Sequence, residues 1–217
     1  MNKINNFIIV LDPGHAVSTP GKKSPYSLNK TLPELEFEEW EFNRDITNKL
    51  ASLLKNAGYN VFITTDSVRD LDEDISLSLR AERANEYVKK QGKKGLFISI
   101  HSNAFKNGKT WESARGWSCY TTIGQNNSDK LANCLYKAAF DLFPRGLKIR
   151  EEKSIDKDSD YEKNFTVIFK ANMPAVLTEN FFYDNIEDCK YLISKEGRET
   201  IARVHFEGIK NYIEKYG

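Results

Sequence analysis

The sequence predicts an α/β fold: one mainly parallel central sheet with helices on both faces. Apolar runs of strand type alternate with stretches of helical periodicity, and the first two runs are separated by a span long enough for a parallel crossover. Three of the runs end in a residue able to do chemistry, which in a parallel sheet gathers those residues at one edge. At 217 residues the chain suits one sizeable core and is short for two full domains, so a single domain over 1–217 is expected.

Taken in order, Phe7-Ile8-Ile9-Val10-Leu11 is the first strand, and the Asp-Pro-Gly that follows stops it abruptly and sets His15 in a cleft. The Ser, Pro, Gly, Lys and Asn of the next stretch read as an exposed loop beside that histidine, a candidate rim for substrate. Phe42, Ile46, Leu50, Leu53 and Leu54 recur at helical spacing from about 37 to 57, with Gly58 where a helix stop belongs. Residues 59–65 form the second strand.

A charged loop then runs into a helix with Leu77, Leu79, Ala81, Ala84 and Tyr87 available for its inner side. Residues 95–101 make a third strand that ends in His101, 116–122 a fourth, and 128–142 a helix with Leu131, Leu135, Ala138 and Ala139 on one side. The densely charged 150–164 reads as a solvated loop near the site. Residues 166–169 and 175–178 read as short strands around the turn Ala171-Asn172-Met173-Pro174, and two helices, 187–193 and 196–216, close the chain.

Composition excludes several classes. Lys plus Arg number 32 against 31 Asp plus Glu, so no basic face for nucleic acid is expected. No run approaches the length of a membrane span. The short apolar run after Met1 leads straight into Asp12-Pro13-Gly14-His15, which reads as a strand and not a signal peptide, so synthesis in the cytoplasm is expected. Cys119, Cys134 and Cys189 are odd in number and widely spaced, the pattern of buried reduced thiols.

The chemistry rests on His15, Glu39, His101 and Glu179. Two histidines and a carboxylate are a full protein ligand set for catalytic zinc, and a further carboxylate is the natural base beside it. From the residues alone, either glutamate can ligate and the other serve as base. Asp12 is a candidate acceptor orienting a ligand histidine, while Ser99 and Asn103 flank His101 and are candidates to bond substrate. Trp111, Trp117 and Tyr120 are candidates for a wall against sugar or peptide, or for core packing. Arg80 and Asn85 are read as structural, and His205, inside a helical apolar stripe, as a packed core histidine.

Five ordered stretches, LDPGH, EWEFN, SLRAERAN, FISIHSNA and PAVLTENFF, together resemble the zinc-dependent N-acetylmuramoyl-L-alanine amidases of the amidase-3 family. The resemblance runs from the first strand to the final helix. It implies one zinc ion held by His15, Glu39 and His101, Glu179 as catalytic carboxylate, and a sheet of about six strands. It selects Glu39 over Glu38 and Glu41 because the matching ligand precedes an asparagine by four residues, here Asn43. Departures are Ala16-Val17 where two glycines are usual, a longer span from His15 to Glu39, and Asn180 in place of a small residue.

The implied reaction is hydrolysis of the amide between N-acetylmuramic acid and L-alanine in peptidoglycan. A monomer acting on the cell wall after release is expected, with no wall-binding domain following; whether an activator takes part is left open. The rivals are a zinc peptidase cutting within the stem peptide and an inert wall-binding module.

Overall fold

Every residue of strand β1 (Phe7–Pro13) is buried, because the strand is covered on both faces and paired on both edges. The computed structural model describes residues 3–25, 32–66, 72–106, 108–154 and 157–217. Its other strands are β2 (Asn60–Ile63), β3 (Lys94–Asn103), β4 (Ser118–Thr121), β5 (Tyr161–Glu162) and β6 (Ala175–Phe182). They form one sheet in the order β2-β1-β3-β6-β4-β5. The first four in that order run parallel, β4 lies antiparallel to β6, and β5 parallel to β4.

Strand alternation divides the core. Phe7, Ile9, Leu11, Leu96, Ile98, Ile100 and Val176 pack beneath helices α1 (Glu39–Asn56), α3 (Asn127–Leu142), α5 (Ile186–Ile193) and α6 (Lys195–Tyr216). Ile8, Val10, Phe97, Ala175 and Leu177 face the opposite way, towards α2 (Leu77–Gln91) and the short α4 (Thr166–Phe169). Helices thus cover both faces, as the alternation of periods implied. All three cysteines are buried and free.

Four local expectations change. Residues 166–169 are helix α4, not a strand: the amides of Phe169 and Lys170 donate back four residues, to the carbonyls of Phe165 (2.9 Å) and Thr166 (3.1 Å). A four-residue run carries too little periodicity to separate the two. Within the supposed loop 150–164, Tyr161 and Glu162 pair with β4. Strand β6 continues to Phe182, so Glu179 lies inside a strand and not after one, and His101 likewise lies inside β3. In α2 the inward residues are Arg80, Ala81, Ala84 and Val88, whereas Leu77 and Leu79 are exposed.

The rotation of α2 follows from one polar cluster. Asp12, at the end of β1, accepts hydrogen bonds from Thr64 after β2 at 2.5 Å, Ser99 of β3 at 2.7 Å and Arg80 of α2 at 3.1 Å. Arg80 also donates to the carbonyls of Pro13 (2.6 Å) and Ile75 (3.1 Å), and its side chain, like that of Asp12, is only 1% exposed. Asn85 ties the same helix to the turn after α4, donating to Lys170 O at 2.8 Å and accepting from Asn172 N at 2.8 Å.

His205 is a core histidine as expected: it is fully buried, with Nδ1 2.8 Å from Ile201 O and Nε2 2.9 Å from Thr178 Oγ1.

Two stability predictions follow from these buried groups. Arg80→Met strands the Asp12 carboxylate without its cation, and urea unfolding is expected to show a loss of about 3–5 kcal/mol. Burial lowers His205 from 6.5 to about 4, so the unfolded chain binds its proton first as pH falls. Stability is therefore full above pH 6.5 and declines towards pH 4, by roughly 3 kcal/mol for this group. His205→Gln is expected to flatten that decline in unfolding curves taken across the interval.

Candidate metal centre

From β1 the chain passes through α1 to β2 on one side and returns through α2 to β3 on the other. The carboxyl ends of β1 and β3 therefore flank a topological switch point, the place where open α/β sheets form a crevice. His15 follows β1 with φ at +65°, a left-handed conformation unusual for a residue bearing a Cβ. His101 sits near the end of β3 directly opposite Glu179 of β6. Glu39 is the first residue of α1, where the unpaired amides of the helix start favour a carboxylate.

Glu39 is 1% exposed and is the hub of the site. Its Oε1 lies 3.2 Å from His101 Nδ1 and 3.4 Å from His15 Nε2, and accepts the Ser102 amide at 3.2 Å. The two imidazoles stand perpendicular with centroids 5.0 Å apart. Ligands about 2.05 Å from a tetrahedral ion stand about 3.3 Å from one another, so both gaps fit a shared metal. Glu39 Oε2 and Glu179 Oε2 are buried without a hydrogen-bond partner among the described residues, an arrangement that suits a cation at the first and a proton at the second. Lys22 Nζ lies 3.9 Å from Glu39 Oε2.

The two carboxylates titrate in opposite directions. Burial alone would raise Glu39, but the hydrogen bonds and charges of His101 and His15 outweigh it and hold the group below the usual carboxylate range. Burial and then the Glu39 charge push Glu179 well above that range, with Lys22 and Lys163 opposing in part. Such a split is how one site separates a permanent anion from a group that exchanges protons.

His15, Glu39, His101 and Glu179 open into one pocket of about 470 Å³, lined also by Lys22, Asn103, Lys106 and Lys109. A wider groove of about 910 Å³ beside α2 contains no histidine. The backbone is cut to fit the imidazoles: a Cβ on Gly14 would overlap the ring of His101. Asn43 donates to Gly14 O at 3.0 Å, and Gly14 N donates to Ile100 O at 3.0 Å, which fixes that approach.

Beside the pocket, β6 carries one more residue than β3 between the pairs His101 with Glu179 and Asn103 with Phe182. Phe181 takes φ +62° there, and Ser102 Oγ donates to the carbonyls of Asn180 (3.1 Å) and Phe181 (3.3 Å). Asn180 is buried and locks the bulge, donating to His101 O at 2.9 Å and accepting from Trp117 Nε1 at 2.9 Å. The asparagine at this departure thus connects a core tryptophan to the strand bearing His101.

Of the secondary candidates, Asn103 reaches the pocket. Asp12 and Ser99 do not: they bond each other below the site, and the Asp12 carboxylate holds Thr64 and Arg80 instead of a histidine. The carboxylate facing His15 is Asp74, with Oδ2 3.6 Å from Nδ1, itself held by Thr19 at 2.6 Å and by Arg80 at 3.0 Å. Sequence reading missed Asp74, which lies in a run of acidic residues with nothing to single it out. Trp117 is core, Trp111 packs against the core, and Tyr120 meets Tyr161 at a tilt and Phe165 edge to face.

Residues 9–211 match the amidase-3 family, described as N-acetylmuramoyl-L-alanine amidase. The chain is 31% identical to the endolysin of Bacillus phage SPP1 over 204 residues, covering 93% of this chain and 64% of that one. It is 29% identical to the N-acetylmuramoyl-L-alanine amidase AmiC of Neisseria meningitidis serogroup B over 240 residues, covering 95% and 52%. The chain thus spans less than two thirds of either relative. Its fold superposes on the crystal structure of an N-acetylmuramoyl-L-alanine amidase from Clostridium difficile 630 with a TM-score of 0.76 and 25% identity, covering 98% of this chain and all of the other. The chain belongs to the amidase-3 family.

Proposed function

We propose that this chain is a zinc-dependent N-acetylmuramoyl-L-alanine amidase that hydrolyses the bond between N-acetylmuramic acid and L-alanine in peptidoglycan. The observation that carries the reading is the convergence of His15, Glu39 and His101 on one point, with Glu179 across the strand pair. Two imidazoles and a carboxylate suit zinc, which when bound supplies a Lewis acid for the amide carbonyl and lowers the pKa of water.

The chain's own residues do the rest. Glu39 stays ionised and orients both rings, and Asp74 faces the far nitrogen of His15 and fixes its tautomer. Glu179, whose environment favours proton uptake, takes the proton of the attacking water and delivers it to the departing alanine nitrogen. Lys22, Lys106 and Lys109 give the pocket a positive lining that suits an acidic peptide stem.

One chain supplies every group of the site, so we read the enzyme as a monomer working on the cell wall. Among the described residues no helix is long and apolar enough to cross a membrane.

Digestion of purified peptidoglycan tests the reading. New amino-terminal alanine without new reducing ends, abolished by chelator and restored by zinc, is expected. New amino termini on other stem residues would make the chain a peptidase, and binding without products would make it an inert module.

Glu179→Gln is expected to keep zinc while kcat falls about 10²–10⁴-fold; full turnover would remove Glu179 from the chemistry. Asp74→Asn is expected to weaken zinc about 10–100-fold by competition with a chromogenic chelator. Gly14→Ala drives a methyl into the His101 ring, so folded protein with reduced zinc content is expected by circular dichroism and metal analysis.

A further inference from the structure

Beyond Glu179 the sheet carries an aromatic face that the proposed reaction leaves unused. Ser118 of β4 stands directly opposite Glu179 of β6, and Tyr120 opposite Leu177. Residues two apart in a strand share a face, so Tyr120 lies on the same side of the sheet as Glu179, one strand over. In β5, Tyr161 pairs with Tyr120, and their ring centroids are 5.2 Å apart. Phe165 meets Tyr120 edge to face at 5.3 Å. Helix α2 packs on β1 and β3, and α4 on β3 and β6; at the β4–β5 end these three rings finish the face, each partly exposed.

Two cations frame the rings. The Arg150 guanidinium lies 5.0 Å from the Phe182 ring and 5.7 Å from that of Tyr161, and Lys163 Nζ lies 4.7 Å from that of Phe165. The face is also joined electrostatically to the pocket. Burial and then the Glu179 charge raise the Tyr120 hydroxyl, which keeps it a donor, and Lys163 acts in turn on Glu179.

We propose that Tyr120, Tyr161 and Phe165 form a binding face for the glycan strand of peptidoglycan, the sugars extending from Glu179 across β4 and β5 while the peptide stem enters the lysine-lined pocket. This rests on the reading of the chain as an amidase. Surface chemistry selects the sugar. The axial C–H bonds of a pyranose ring are weakly positive and settle on the negative face of an aromatic ring. Its hydroxyls and acetamido carbonyls accept hydrogen bonds from a guanidinium or a phenol.

Charge selects against the stem. Asp and Glu outnumber Lys and Arg six to four in 150–164, whereas the pocket itself is lined by Lys22, Lys106 and Lys109. An acidic stem is drawn to the lysines, and a neutral glycan is indifferent to either field. The amide that joins sugar to stem then falls between the two regions, at Glu179.

The probe is the tetrasaccharide of N-acetylglucosamine, a neutral β-1,4-linked glycan without a stem, titrated into zinc-loaded protein and followed by ligand-observed NMR. Binding is expected, weakened about five- to tenfold by Tyr161→Ala. Tyr161→Leu retains apolar bulk at the edge strand and should give the same loss, which covers an alanine variant that folds poorly. Lys106→Gln should leave tetrasaccharide binding as it was. A second readout compares hydrolysis of muropeptides bearing one and four sugars on the same stem. The four-sugar substrate is expected to have the lower KM, and Tyr161→Ala to bring the ratio of the two kcat/KM values towards one. No tetrasaccharide binding at millimolar concentration, binding that survives both Tyr161 substitutions, or a ratio that Tyr161→Ala does not move would overturn the proposal. So would loss of affinity for a free stem peptide in Tyr161→Ala, because the face would then hold peptide. The amidase reading fails separately: tetrasaccharide binding without hydrolysis of either muropeptide would refute that reading and leave the glycan face standing.

Discussion

The Asp12 carboxylate holds the molecule's functional edge together. It is buried near the end of β1 and bonds Thr64 after β2, Ser99 of β3 and Arg80 of α2 at once. A buried carboxylate with that many donors fixes the relative height of the strands far more sharply than apolar packing, which tolerates sliding. The same Arg80 continues outward to Asp74, and Asp74 faces His15. A chain of alternating charges therefore runs from the interior of the sheet to the rim of the pocket, and the outermost imidazole inherits its position from the innermost carboxylate.

The second imidazole is positioned differently. His101 is held by sheet geometry: its strand pairs with β6, the bulge at Asn180 and Phe181 ends that regular pairing, and Gly14 leaves room for the ring. Glu39 arrives from the start of a helix and is the meeting point of both arrangements. Its low pKa and the raised pKa of Glu179 come from the same pocket: burial raises both, the histidines outweigh it at the first carboxylate, and the first carboxylate's charge adds to it at the second. Two acidic residues of identical chemistry are thereby made to titrate in opposite directions.

Much of this is legible in the amino-acid sequence, and the boundary has physical reasons. His15, His101 and Glu179 stand out because strands buried on both faces read as unbroken apolar runs, against which a polar residue is conspicuous. Glu39 is one of three glutamates within four residues, and periodicity does not choose between them; only the ordered motifs did. Asp74 lies in an acidic stretch where no pattern marks it, and its part emerges only when folding brings it to Arg80. Residues 166–169 read as strand because a run of four residues, three of them apolar, holds no period. Leu77 and Leu79 read as inward because burial of an arginine in their place depends on Asp12, 68 residues away.

The Asn180 departure shows how a local substitution is absorbed. Where a small residue would leave space, the amide spans from Trp117 to the His101 carbonyl and makes the bulge part of the core. The edge that carries His15 and His101 is thus braced from both directions, by Asp12 beneath β1 and by Asn180 beside β3. In the proposed enzyme this bracing converges three donors on one metal and leaves Glu179 to carry the proton. Anomalous diffraction at the zinc edge from crystals of zinc-loaded protein tests it most directly. A single strong peak bounded by His15, Glu39 and His101, with Glu179 outside bonding distance, is the expected result. A peak ligated by Glu179, or none among these residues, would contradict it.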